Sequence, residues 1–168
     1  MSSNTPLLRL LAVFAAVFFL LHLGYQAGRG TVLERTVIDL ATVKPSAWLI
    51  NWISGQEQVR AQGASLVSPQ TRLSVRSGCE STESMFLLIA AVLAFRSPWL
   101  RRLVGLTLGI MVIYLANQIR IVALYFALHH DHALFAALHG YIAPTLIIAV
   151  GCIFYLWWMR WAQQKTPA

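Results

Sequence analysis

The sequence predicts an all-α integral membrane protein with four transmembrane helices, an extracytoplasmic amphipathic segment and a small β-hairpin. Of its 168 residues, 58% are apolar and only 11% are charged, whereas a soluble domain carries about 25% charged residues. The apolar residues gather in four runs with polar stretches between them. We therefore expect a single membrane domain over residues 1–168, with the lipid bilayer as its first partner.

The basic residues predict the orientation of the chain. Lys and Arg number 13 against 6 Asp and Glu, yet no basic run with interleaved aromatic residues predicts a nucleic-acid partner. Four crossings leave no acid and six cations on one side, namely Arg9, Arg96, Arg101, Arg102, Arg160 and Lys165. By the positive-inside rule this side is cytoplasmic. Both termini are thus expected in the cytoplasm of a multi-pass protein of the inner membrane, and Cys79 is expected to face outward.

The spans are expected at about 7–23, 83–95, 103–128 and 139–159. The first run, 7–23, has no acidic residue and is just long enough to cross a hydrocarbon layer of about 30 Å at about 1.5 Å per residue. Arg9 before this run also resembles a secretory signal, but the cleavage site that follows is poor, so we interpret it as a retained span.

The extracytoplasmic segment is expected over about 24–82. From Thr31 onward apolar residues recur at helical spacing, which predicts a helix lying along the membrane surface and interrupted at Pro45. Trp48 and Trp52 are typical of a bilayer interface, and a role in core packing explains them equally well. Two β-type runs at 65–67 and 72–75 predict a hairpin that forms a wall beside Cys79.

Cys79 is the candidate nucleophile. The run Ser77-Gly-Cys-Glu80 fits a helix-capping pattern and predicts that Cys79 lies just inside a helix start. The positive end of a helix favours a thiolate, whereas Glu80 and Glu83 oppose it unless they face bases. An incidental or buried thiol is the alternative reading of Cys79.

Arg120 interrupts the third apolar span, where a guanidinium costs at least about 2.5 kcal/mol. It lies 18 residues after Arg102, about 27 Å along a helix and hence near the outer end. Asn117 shares its helical face. Such a cation can neutralise an oxyanion or bind a carboxylate; the alternative is an arginine that snorkels to the outer interface.

His139 is expected at the outer mouth of the last helix, where it can exchange the proton that cysteine acyl transfer needs. A satisfied interface histidine is the alternative. The cluster His129-His130-Asp131-His132 has adjacent residues that rarely point at one ion, so we favour a solvated turn and expect no metal. Cys152 lies about 20 Å down the last helix and is expected to serve packing.

These residues resemble those of a known family, the exosortase/archaeosortase family, and in particular its short exosortase H-type members. The resemblance covers the chain from about Val59 through the last helix and is carried by Gly78-Cys79 followed by Glu83, by Asn117-x-x-Arg120-Ile121, and by His139 before an apolar helix.

The resemblance implies a cysteine transpeptidase or protease without a cofactor. Its partners would be secreted proteins with a C-terminal sorting signal, made of a short motif, a transmembrane helix and a basic tail. Cys79 would attack the peptide bond near the signal and form a thioester, Arg120 would steady the oxyanion, and His139 would shuttle the proton. Asn117 and Glu83 would support the site.

Two functions of other classes remain open. One is a non-enzymatic transport or binding protein that uses Arg120 and His139 for an anion or for protons. The other is a degenerate family member that only binds sorting signals, because the family commonly has Ser or Asn and then Gly after the Cys, where this chain has Glu80-Ser81.

Overall fold

The structure is a computed structural model that describes residues 5–76 and 78–164; Ser77 of the expected capping pattern and Lys165 of the charge count lie outside the described residues. The predicted fold class is confirmed, since the chain is mostly helical with one small sheet. The helices are α1 (Thr5–Ala27), α2 (residues 32–53), α3 (Thr82–Ala94), α4 (Trp99–His130) and α5 (His132–Gln163), and the strands are β1 (Arg60–Gln62), β2 (Ser65–Val67) and β3 (Arg72–Ser74).

Three of the described helices are long and apolar enough to cross a membrane: Leu7–Ala27, Trp99–His130 and His132–Gln163. Helix α3 has 13 residues, which give it a length of about 20 Å, less than a hydrocarbon layer of about 30 Å. It packs against both α1 and α4. The fourth crossing therefore stays a prediction.

Helices α4 and α5 form an antiparallel hairpin with Asp131 as its only connecting residue. Asp131 Oδ1 caps α5 by accepting from two backbone N–H groups at 2.7 and 3.2 Å. At the opposite end of the hairpin, Arg101 Nη1 donates to the Ala162 carbonyl at 2.9 Å, and Trp158 Nε1 donates to the Arg101 carbonyl at 2.9 Å. The basic start of α4 and the end of α5 thus lie together, far from Asp131.

Because Asp131 caps α5, that helix begins at His132, seven residues earlier than expected. The prediction that His139 opens the last helix is therefore wrong. His139 lies about two turns inside it, within a π-helical turn at Leu138–Ile142.

Two prolines inside helices, Pro45 and Pro144, each follow a π-helical stretch. Pro45 is the second residue after the stretch Thr36–Val43, and Pro144 is the second residue after Leu138–Ile142. A proline cannot donate to the carbonyl four residues back and crowds it, and a stretch with wider hydrogen-bond spacing relieves that conflict. Pro45 therefore starts a new α-helical stretch within α2.

The expected interruption of the amphipathic helix at Pro45 is therefore wrong, since α2 runs on without a break. The physical reason lies partly in α4. In an α-helix the Ala41 carbonyl would accept from the N–H that Pro45 lacks; here it accepts from Gln118 Nε2 at 3.1 Å. Ser46 Oγ also donates to Gln118 Oε1 at 2.7 Å, so one buried amide fastens α2 to α4.

The predicted hairpin is part of a three-stranded antiparallel sheet of order β1-β2-β3. Strand β1 has no β-type run in its sequence. Asn51 of α2 holds Val59, the residue before this strand: Asn51 Nδ2 donates to the Val59 carbonyl, and the Val59 N–H donates to Asn51 Oδ1, both at 2.8 Å. Leu66 and Leu73 turn inward and join a core with Ile121 of α4. The sheet is thus supported by the helices, as so small a sheet requires.

Gly105 of α4 allows the close approach of α5. A Cβ at this position would lie 2.3 Å from Nε1 of the fully buried Trp158. We expect Gly105→Ala to lower the free energy of unfolding by about 1–3 kcal/mol through overpacking, measured as a lower thermal midpoint in detergent. Gly24→Ala in α1 is the control, because a Cβ there meets nothing within 4 Å. Equal midpoints for the two variants would contradict this packing.

Candidate active site

Cys79 lies in a tight turn between β3 and α3. Its N–H donates to the Arg76 carbonyl at 2.9 Å, and the turn places Gly78 at φ +97° and Ser81 at φ +58°. The prediction that Cys79 lies inside the first turn of a helix is wrong, because the chain passes through this left-handed turn before α3 begins at Thr82. A positive φ at a residue other than glycine persists only where the surroundings hold it.

Glu80 holds one side of this turn. Its side chain is 5% exposed, and its carboxylate accepts from the Gly78 N–H at 2.6 Å, from the Tyr25 hydroxyl at 2.9 Å and from Thr82 Oγ1 at 3.3 Å. A buried carboxylate needs such donors. Sequence reasoning treated Glu80 only as a charge beside Cys79, and no local pattern predicts that Tyr25 meets it.

Asn117 holds the other side of the turn. It is 2% exposed, and its Oδ1 accepts from Ser81 Oγ at 2.8 Å. The sequence predicts that Asn117 holds either Arg120 or the substrate by hydrogen bonds; the contact that the structure gives it is with the turn of Cys79.

A cavity of about 560 Å³ opens beside Cys79. It is lined by residues 72–76 of β3 and its continuation, by Cys79, by Ile121, Leu124 and Leu128 of α4, and by Phe135 and His139 of α5. The cavity therefore brings together two of the three predicted catalytic residues, Cys79 and His139, from separate parts of the chain.

The His139 ring is exposed and stacks on Phe135, with the ring centroids 5.6 Å apart and the planes 5° apart. No hydrogen bond to its side chain is found among the described residues. The stacking fixes the plane of the ring, while the two ring nitrogens stay available to exchange a proton.

Arg120 is not among the described residues that line the cavity. It lies one turn before Leu124, which does line it, and therefore shares the same stripe of α4. Its Nε is buried and has no hydrogen-bond partner in the described part of the chain. An N–H group left in this state costs about 1–3 kcal/mol, so it is ready to bind an acceptor.

Glu83 lies outside the cavity. Its side chain is mostly exposed, and Oε1 is 3.8 Å from Nδ1 of His22 on α1. This pair links α3 to α1. Glu83 is not among the described residues that line the cavity.

Two further cations, Arg72 and Arg76, line the cavity. Sequence reasoning used them only in the charge count. The alternation of a strand could have shown them, because it places Arg72, Ser74 and Arg76 on the face opposite Leu73 and Val75. Among the described lining residues every charged or titratable group other than the thiol is thus basic.

One residue of the histidine cluster, His129, contacts the loop before β3, whereas the other three are exposed. His129 Nδ1 is hydrogen-bonded to Thr71 Oγ1 at 2.8 Å, and the His129 and His130 rings meet edge to face. Within residues 5–76 and 78–164, no three His, Cys, Asp or Glu side chains are grouped so that they could hold a metal ion. The cluster therefore ties the end of α4 to the loop before β3.

The model of the transmembrane exosortase family matches residues 1–158. The chain belongs to the transmembrane exosortase family. The resemblance found from the motifs is thereby confirmed at the level of the family, and the match also takes in α1 and α2, which lie before Val59. No curated protein and no solved structure matches the chain.

Membership makes this exosortase a membrane-embedded enzyme of the class that processes sorting signals. Within the described chain its α1 also reaches the turn of Cys79, through Tyr25 and Glu80. The first helix is therefore joined to the candidate active site by a buried hydrogen bond.

The two thiols of the exosortase are expected to differ in reactivity toward a membrane-impermeant maleimide. Cys79 lines the cavity whose wall includes Arg72 and Arg76, whereas Cys152 lines an apolar groove between α1, α3, α4 and α5 that a charged reagent is not expected to enter. Intact cells should label the Cys152→Ser variant like the parent and should not label Cys79→Ser. Labelling that needs permeabilised cells would contradict an outward-facing cavity.

Proposed function

We propose that this exosortase cleaves the C-terminal sorting signals of secreted proteins by covalent catalysis at Cys79, on the extracytoplasmic face of the inner membrane. The observation that carries the proposal is the shared cavity: Cys79 and His139 come from separate parts of the chain and line the same space. A nucleophile and a base that meet in one cavity are the minimum that cysteine acyl transfer requires.

The proposed reaction has two steps. The Cys79 sulfur attacks the carbonyl carbon of the scissile peptide, so that a C–S bond forms and the C–N bond breaks, and His139 passes the thiol proton to the leaving amine. An acceptor amine or water then attacks the thioester. As the new C–N or C–O bond forms, the C–S bond breaks and the sorted protein is released, and the proton removed from the acceptor returns to the sulfur through His139.

Arg120 is proposed to bind the oxyanion of the tetrahedral intermediates. The support for this role is its buried Nε, which lacks a partner in the described chain, and its place on the stripe of α4 that continues into the cavity. A guanidinium that turns toward Leu124 would exchange an unpaired state for a charge-assisted hydrogen bond as negative charge develops.

The proposed face of the membrane follows from the two ends of α4. Arg101 and Arg102 lie in its first turn, and the cavity-lining residues Ile121, Leu124 and Leu128 lie near its other end. If the basic end is cytoplasmic, as the positive-inside rule requires, the cavity opens outward. A substrate held by its own membrane helix and basic tail would present its cleavage site on that side.

Cys79→Ala is expected to abolish processing of a co-expressed secreted protein that carries such a C-terminal signal, and His139→Ala to lower it by at least about 100-fold. An immunoblot for the shortened product provides the measurement. His130→Ala is the matched control, since His130 is exposed and does not line the cavity in the described chain. Processed product from Cys79→Ala would show that the assignment of Cys79 as the nucleophile is wrong. It would favour a role of this chain as a binding or transport protein.

Arg120 and Arg76 are expected to affect different kinetic constants. In reconstituted enzyme, Arg120→Ala should lower kcat by about 100-fold or more because oxyanion binding is lost. Arg120→Lys keeps the charge and should recover part of it. Arg76→Ala should raise KM with little change in kcat, because Arg76 is exposed on the cavity wall. The opposite pattern would assign the oxyanion to Arg76.

A further inference from the structure

We propose that Tyr25 and Glu80 are positioning residues for Cys79, so that α1 is part of the catalytic machinery as well as a membrane helix. The inference rests on the proposed role of Cys79 as the nucleophile. Tyr25 and Glu80 are buried next to the reactive thiol, and the proposed reaction uses neither of them.

The Glu80 carboxylate binds donors on both sides of Cys79. One oxygen accepts at 2.6 Å from the N–H of Gly78, the residue before Cys79. The other oxygen accepts at 3.3 Å from Oγ1 of Thr82, three residues after Cys79. The same oxygen that contacts Thr82 accepts from the Tyr25 hydroxyl at 2.9 Å. The carboxylate therefore closes the turn around Cys79 and attaches it to α1.

The turn needs such restraints because the backbone of Ser81 is strained, whereas a glycine such as Gly78 adopts a positive φ freely. Gly78 has φ +97° and Ser81 has φ +58°, and a non-glycine residue in the left-handed region is retained only where several contacts hold it. Ser81 Oγ donates to Asn117 of α4 at 2.8 Å. The two residues that follow Cys79 thus fix the turn to α1 through Glu80 and to α4 through Ser81.

Burial gives the Tyr25 contact its effect. Tyr25 is 8% exposed and Glu80 is 5% exposed, so water cannot readily replace the hydroxyl as a donor. The Tyr25 ring also packs edge to face on Phe86, at 5.9 Å between centroids. Tyr25→Phe therefore keeps the ring packing and removes only the hydrogen bond to the carboxylate.

The chain offers a matched control for a purely structural role. The Tyr125 hydroxyl donates to Glu57 Oε2 at 2.7 Å, which is the same tyrosine-to-carboxylate bond between residues distant in sequence. Neither Tyr125 nor Glu57 contacts the turn of Cys79 through a hydrogen bond in the described chain. A loss of stability alone should appear in Tyr25→Phe and Tyr125→Phe alike.

The experiment uses the full chain in a Cys152→Ser background, reconstituted in liposomes, with kcat, KM, the thermal midpoint and the rate of Cys79 alkylation by a maleimide as readouts. Tyr25→Phe should lower kcat by about tenfold or more, because a displaced nucleophile loses its attack geometry, with KM nearly unchanged and an altered alkylation rate. Glu80→Gln keeps one acceptor oxygen and should retain more activity than Glu80→Ala. Tyr125→Phe should lower the thermal midpoint and leave kcat and alkylation unchanged.

A lower midpoint for Tyr25→Phe with unchanged kcat and alkylation rate would overturn the positioning role and leave the proposed function intact, provided that Cys79→Ala is inactive. Processing by Cys79→Ala would overturn the proposed function instead. The alkylation rate needs no catalysis, so it still tests whether Tyr25 and Glu80 control the geometry around the thiol in that case.

Discussion

Two buried amides of α4, Asn117 and Gln118, need hydrogen-bond partners, and this requirement attaches the segment between α1 and α3 to that helix. Asn117 and Gln118 are each 2% exposed, and an unpaired group of this kind costs about 1–3 kcal/mol. Consecutive residues on a helix point in different directions, about 100° apart. Asn117 therefore binds Ser81 of the turn, whereas Gln118 binds Ser46 and the Ala41 carbonyl of α2. Asn117 thereby holds the turn of Cys79, which lines the cavity, and Gln118 holds α2 against α4.

The need to satisfy backbone hydrogen bonds also shapes α2 and α5, the helices that contain Pro45 and Pro144. In α2, the carbonyl that Pro45 leaves without a helical donor is used by Gln118, so the defect becomes a tertiary contact. In α5, the π-helical turn before Pro144 contains His139. Such turns are often found at functional sites, since the extra residue rotates the helix faces on either side relative to each other. His139 and Phe135 line the cavity, while Ile147, beyond the turn, belongs to the core cluster that α5 forms with α3 and α4.

The cavity combines apolar walls with basic groups and no acid among its described lining residues. That environment suits a reaction in which a peptide carbonyl gains negative charge, which is the reaction we propose for Cys79. The carboxylate of Glu80, next to the thiol, does not line the cavity in the described chain and so does not place a negative charge beside the reacting carbonyl. Glu80 is turned toward Tyr25 and the backbone of its own turn, so its charge is used to hold the loop.

The sequence by itself determined the membrane class, the long apolar helices, the family and a set of candidate residues that includes Cys79 and His139. These follow from apolar length, charge and motif spacing, which are local properties of a chain. Only the tertiary structure decided the third strand, the left-handed turn of Cys79, the absence of Arg120 from the described lining residues and the cavity that Arg72 and Arg76 line. The Tyr25 to Glu80 bond joins residues 55 apart, and no local pattern encodes which distant donor a buried carboxylate will meet. That choice is made when the helices pack.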